Sequence, residues 1–191
     1  VKQADGTMTV LNDEVIENLI VANKATLVVD EGEKLSGNTV ELNGNSTING
    51  SLAYNAVKNR AKADVNGTIS AQTVYNSNSG TVMNIATEGK VEATKWVKND
   101  GEMNLAQNSS VTTPEFINNK LITTNGKIDA TTFNNSATGD YHMKTFSETK
   151  VGTFTNEGEI YYDEQGASFK YTNVNGGKSI ATVLEGAEPN T

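Results

Sequence analysis

Apolar and polar residues alternate at period two over short stretches of this chain, and Asn or Gly separates the stretches. From about residue 40 onward no apolar stripe at i, i+3, i+4 spacing lasts three turns, so the pattern predicts strands and no long helix. The stretches also recur. An apolar residue, any residue and an Asn appear as Ala53-x-Asn55, Val74-x-Asn76, Val97-x-Asn99, Phe116-x-Asn118, Phe133-x-Asn135, Phe154-x-Asn156 and Tyr171-x-Asn173, with Asn-to-Asn steps of 21, 23, 19, 17, 21 and 17 residues. Upstream of these sit Ile48, Ile69, Val91, Val111, Ile128 and Val151, each followed two positions later by a small residue: Gly50, Ala71, Ala93, Thr113, Ala130 and Thr153. Downstream, Gly80, Gly101, Gly139 and Gly158 each precede an apolar residue by two, and Lys120 takes the Gly place before Ile122. Asn and Gly enter left-handed backbone conformations at low cost, so they mark corners between strands.

Strand–corner–strand units of roughly 20 residues predict an all-β fold, a parallel β-solenoid of about seven coils. At about 4.8 Å per coil the rod would be roughly 35 Å long. An antiparallel sandwich is the competing all-β arrangement. Repetition of whole units favours the solenoid, as does the phase of the aromatics Tyr54, Tyr75, Trp96, Phe116, Phe133, Phe154 and then Phe169 or Tyr171, which would stack in the core. The expected division is an irregular N-terminal coil or cap over 1–40, the parallel β-helix over 41–184 and a tail over 185–191. Within the first part, the stretch from Asn12 to Ile20 fits a short capped helix. Alternatively, Leu19–Val21 and Thr26–Val29 are already strands of a first coil. Ser179 to Leu184 reads as a last strand.

The recurrent Asn predicts a structural ladder. Side-chain amides carry both donors and acceptors, so Asn55, Asn76, Asn99, Asn118, Asn135, Asn156 and Asn173 would hydrogen-bond from coil to coil.

Composition narrows the chemistry. Hydrophobic residues make up 36% of the chain, which suits a thin, regular core. With no Cys there are no disulfides and no thiolate metal sites, and the single His142 excludes any mechanism needing two histidines. A net charge of −8 argues against a nucleic-acid partner. No apolar run approaches the ~18 residues of a membrane helix. The chain begins at Val1 without a secretory signal, and reads as a mature or trimmed piece of a longer product.

Coil stacking predicts outward columns. Thr81, Glu102, Leu121, Asp140 and Glu159 follow the corner, and Met83, Asn104, Thr123, His142 and Tyr161 lie two further on. Asp140, His142, Glu159 and Tyr161 then share one outer patch, with Glu102 two coils away. Two carboxylates one coil apart satisfy the spacing of a glycosidase pair, and Lys120 is the nearest cation for an elimination on uronic acids. A flat wall lacks the concavity of a substrate site, so these five residues are expected to contact a ligand rather than catalyse. No cofactor or metal is expected: Asp30, Glu31 and Glu33 lack the alternating oxygen ligands of a calcium loop. Trp96 is read as a core aromatic.

The units Ile128-Asp129-Ala130-Thr131-Thr132-Phe133-Asn134-Asn135 and Val151-Gly152-Thr153-Phe154-Thr155-Asn156-Glu157-Gly158 resemble those of bacterial surface β-helix proteins, the adhesins of gut Bacteroidetes in particular, over about residues 40–180. The resemblance implies a right-handed, single-stranded parallel β-helix, export from the cell, and a role in adhesion or surface architecture; the expected location is extracellular or the cell surface, where a lipid anchor upstream is one way to hold the chain, and the expected role is non-enzymatic. A rigid side wall that binds through many weak polar contacts along its columns suits a glycan or a host or bacterial surface protein as partner. A β-helix polysaccharide lyase or hydrolase, and a structural spacer in a larger surface protein, are the alternative functions.

Overall fold

A computed structural model describes residues 2–162 and 166–177 of the chain. Its strands are β1 (Lys2–Ala4), β2 (Thr7–Val10), β3 (Glu14–Val15), β4 (Asn18–Val21), β5 (Thr26–Val29), β6 (Lys34–Leu42), β7 (Asn45–Ile48), β8 (Ser51–Asn59), β9 (Lys62–Val65), β10 (Thr68–Asn76), β11 (Val82–Ile85), β12 (Lys90–Asn99), β13 (Glu102–Leu105), β14 (Ser110–Asn118), β15 (Leu121–Thr124), β16 (Lys127–Asn135), β17 (Asp140–Met143), β18 (Glu148–Asn156), β19 (Glu159–Tyr162) and β20 (Ser168–Gly177). All pairings among them are parallel. One sheet runs β1-β4-β6-β8-β10-β12-β14-β16-β18-β20, with β3 beside β6; the other runs β19-β17-β15-β13-β11-β9-β7-β5-β2. The chain is therefore a parallel β-solenoid, each turn contributing one long and one short strand, and the nine stacked short strands mark nine turns.

Nine turns replace the seven expected, because residues 2–42 already wind in register instead of forming an irregular cap. Val21 pairs with Leu42, and Leu42 with Asn59. The first turns thus carry Ala4, Val21 and Leu42 where later turns carry Asn, and so they lack the marker of the repeat. No helix forms between Asn12 and Ile20. Leu19 and Val21, two apart, both point inward as strand residues, and the Asp13 carboxylate accepts a hydrogen bond from the Lys34 backbone (2.9 Å) rather than capping a helix. The expected last strand at Ser179–Leu184 and the tail over 185–191 lie outside the described residues.

Each long strand bends. In β8, Leu52 and Tyr54 face inward, as do Val57 and Asn59, so the inside–outside alternation slips by one residue at Asn55–Ala56. The same slip recurs in β10, where Ile69 and Ala71 precede Val74 and Asn76. This slip divides the expected aromatic stack. Phe116, Phe133 and Phe154 do form one buried column, with ring centroids 5.0 and 5.3 Å apart, continuing Val57, Val74 and Val97. Tyr54 lies before the slip in a neighbouring inward column, its hydroxyl donating to the Ile16 carbonyl (3.0 Å). Burial, with Glu14 and Glu17 adding to it, pushes the Tyr54 phenol up to about 12. Phe169 stands over Thr149, and Tyr171 over Val151, in separate columns. Tyr75 and Trp96 face outward.

At the corner after each long strand a ladder of fully buried amides runs through Asn59, Asn76, Asn99, Asn118, Asn135 and Asn156. Each Nδ2 donates to the Oδ1 of the Asn in the following turn, over 2.8, 2.8, 2.9, 2.8 and 2.8 Å. The same amides donate to corner carbonyls, as Asn76 does to Glu102 (2.8 Å) and Asn99 to Leu121 (3.0 Å). The ladder thereby uses both protons of each amide inside the fold, and gives a second donor to carbonyls such as those of Ala61, Lys120 and Gly139, which already accept a backbone N–H. Two expected members are absent from it. Asn55 sits exposed at the bend, donating to Asn38 (2.9 Å) and accepting from Gln72 (3.1 Å), and Asn59 takes its ladder place. Asn173 pairs in register with Thr153, while Gly177 stands beside Asn156. Corners crowd the backbone closely: a Cβ on Gly158 would fall 2.1 Å from the Gly139 carbonyl oxygen.

Truncating Asn118 takes the acceptor from one N–H of the Asn99 amide and the donor from the Oδ1 of Asn135, both fully buried. At about 1–3 kcal/mol for each buried group left unsatisfied, Asn118→Ala is expected to cost roughly 2–6 kcal/mol. Asn59→Ala breaks only the first rung and is expected to cost about half as much; urea denaturation followed by circular dichroism measures both.

Candidate functional site

The short strands build one outer wall. Because each inward residue is flanked by two outward ones, every short strand shows two side chains to solvent. Register places Lys62, Val82, Glu102, Leu121, Asp140 and Glu159 in one column. Asp64, Asn84, Asn104, Thr123, His142 and Tyr161 form the other. The predicted columns therefore hold from Glu102 to Tyr161. They slip by one residue at the earlier turn, where a five-residue corner follows Asn76: Thr81 and Met83 are buried, and Val82 and Asn84 take their outward places.

The wall has two chemically distinct halves. In the lower half Asp64 accepts from Lys62 (2.8 Å) and Asn84 (2.8 Å); Asn104 donates to both Asn84 (3.0 Å) and Glu102 (2.7 Å). Glu102 is thus tied into a polar net, separated from the upper patch by Leu121 and Thr123. Partial burial pushes the Asp64 carboxyl up, but the hydrogen bonds from Asn84 and Lys62 and the lysine charge outweigh it and hold the group below its ordinary value. In the upper half Asp140 and Glu159 are register partners, one coil spacing or about 4.8 Å apart. His142 and Tyr161 meet edge to face with centroids 4.4 Å apart, and Tyr161 is 44% exposed.

A second wall carries chemistry that the sequence reading placed elsewhere. Outside the second half of the long strands, Glu41, Lys58, Tyr75 and Lys98 stand in one column. Trp96 is half-buried beside them, on the outside of the fold and not in its core. Its ring meets Tyr75 edge to face at 6.4 Å, and the Lys58 and Lys98 ammonium groups lie 5.7 and 5.1 Å from the Tyr75 centroid. Asp100 accepts hydrogen bonds from the Tyr75 hydroxyl and from Asn119 (2.6 Å), and pairs with Lys98 at 3.3 Å. Burial raises the Asp100 carboxyl, but these donors prevail and hold it below the usual range; the hydrogen bond to Asp100, with burial added, raises Tyr75 in turn. A signal for this platform was present. Val74-x-Asn76 and Val97-x-Asn99 both point inward, so counting by two puts Tyr75 and Trp96 outside.

Among the described residues no group of three or more His, Asp or Glu is placed to hold a metal, and no helix is long and apolar enough to cross a membrane. Clefts of about 350 and 490 Å³ open along the corner that leads from short to long strands, away from both walls. No protein-family model, curated protein or solved structure matches this chain.

Asp64 and Asp100 both have lowered folded-state values. The stability they contribute is complete above the unfolded carboxylate value of about 3.9 and is lost as pH falls through the lower folded values. The double variant Asp64→Asn, Asp100→Asn is therefore expected to melt below the parent at pH 7 and close to it at pH 2. Thermal melts across that range measure the convergence.

Proposed function

We propose that this chain is a non-catalytic, extracellular adhesion or surface-scaffold rod of bacterial type, which presents rigid polar walls to glycans or to a surface protein. The Tyr75–Trp96 platform carries the reading. It offers a broad apolar face on a rigid sheet, and Lys98, Asp100 and Asn119 around it are already held in place by mutual hydrogen bonds. Binding there orders few side chains, so little affinity is lost to entropy. Tyr and Trp combine apolar area with a polar handle, which suits a partner bearing both hydroxyls and apolar faces. Many copies on one surface would multiply weak contacts through effective concentration. The acidic, Asn- and Thr-rich composition is in keeping with display outside the cell.

The register pairing of Asp140 with Glu159 supports a second reading, a polysaccharide-active enzyme of β-helix type. Binding to an immobilised glycan panel, with release of soluble sugar measured alongside, separates the two. The proposal expects binding without release, and at least tenfold weaker binding by Trp96→Ala, a loss of about 1.4 kcal/mol. Sugar release that disappears in Asp140→Asn and Glu159→Gln would replace adhesion with catalysis. Absence of all binding would leave the rod a spacer.

A further inference from the structure

Between β5 and β18, turns at the corner from short to long strands come in two sizes. Those over 30–33, 86–89, 106–109 and 144–147 share one geometry, in which the fourth residue's N–H donates to the first residue's carbonyl over 3.2, 2.8, 3.2 and 3.1 Å. Their third residues are left-handed: Gly32 (φ 83°), Glu88 (67°), Asn108 (64°) and Phe146 (68°). Gly and Asn suit that conformation, whereas a bulky aromatic there is an outlier that calls for a functional explanation. Packing does not supply one, since Phe146 is 64% exposed.

The turn between 106–109 and 144–147 has only two residues, Asn125 and Gly126. Thr124 Oγ1 accepts from the Gly126 N–H (3.0 Å), and a Cβ at Gly126 would lie 2.5 Å from Ser109 Oγ. The short turn therefore lies down on its neighbour and leaves a notch of about 350 Å³ between the two long turns. Asn108, Asn125 and the Lys127–Glu148 pair (3.7 Å) line it, and the Phe146 ring stands at its edge.

We infer that this notch is a binding site for one neutral sugar unit, with the Phe146 ring covering the apolar face of the sugar and Asn108, Asn125, Lys127 and Glu148 hydrogen-bonding its hydroxyls. A sugar hydroxyl both donates and accepts, as does each amide, so the two Asn side chains match it in either direction. The volume is at the small end of ligand sites, which suits a single ring. Glu88, Glu148 and Lys127 sum to one negative charge, which disfavours uronates and sulfated or phosphorylated sugars. The site deepens the glycan reading above and rests on it, at a place separate from the Tyr75–Trp96 wall.

Phe146→Gly separates function from structure, because glycine removes the ring and also relieves its left-handed backbone. The full chain, its Phe146→Gly and Asn125→Ala variants and Trp96→Ala are compared on a panel of neutral oligosaccharides, with thermal melts in parallel. The expected result is that Phe146→Gly melts at or above the parent temperature and binds at least tenfold more weakly, and that Asn125→Ala binds several-fold more weakly. Parent-like binding by Phe146→Gly overturns the site, as does a lowered melting temperature, which would make the ring a packing group. Binding lost only in Trp96→Ala overturns the notch and leaves the wall reading intact; a parent that binds no neutral sugar overturns the notch, and the wall reading then rests on charged glycans or a protein.

Discussion

The buried amide ladder is the constraint on which the rest of the molecule depends. Six fully buried Asn side chains link turn to turn through their own amides and add a second donor to corner carbonyls such as those of Ala61, Lys120 and Gly139. Each amide after Asn59 also accepts from the Asn of the turn before it, so no inner rung is satisfied unless its neighbours are in register. That requirement holds the outward columns in line. A one-residue slip would move Asn to the outside and its apolar partner with it.

Much of this order was legible in the sequence. Asn76, Asn99, Asn118, Asn135 and Asn156 were readable as one column, and so was the outward alignment of Glu102, Asp140, His142, Glu159 and Tyr161. What was not legible has a common physical origin. The bend in each long strand shifts the alternation by one residue, which leaves no mark in composition. Asn55 at the bend and Asn59 at the corner carry the same side chain, yet one is solvated and the other buried. Tyr75 and Trp96, by contrast, lie beyond the bend, beside the inward Val74 and Val97, and plain alternation from those residues places them outside. The first turns were legible only as the alternative that made Leu19–Val21 and Thr26–Val29 strands, because Val21 and Leu42 fill the ladder position and the wound chain there lacks its most conspicuous residue.

Variation in this fold is concentrated at the corners, with one extra residue inside β12 that shifts its register against β10 and β14. Two-, four- and five-residue turns interrupt the stack without disturbing the strands on either side, because the strands pair along the rod and the turns project from it. The walls offer flat, repeated surfaces, and unequal turn lengths add local relief, as at Gly126 between two longer turns. Rigid area and shaped recesses thus arise from separate parts of the same coil. The chemistry of one can change while the other is preserved.

The direction of the pairing hydrogen bonds has a mechanical consequence. They run along the rod, from turn to turn, so tension applied at one end loads a single turn's bonds at a time. A turn that yields would free 17 or more residues of chain, roughly 60 Å at full extension, in exchange for about 4.8 Å of rod. Under pull the molecule would pay out length stepwise at near-constant force, as a reel does, and rewind onto the intact stack when the load falls.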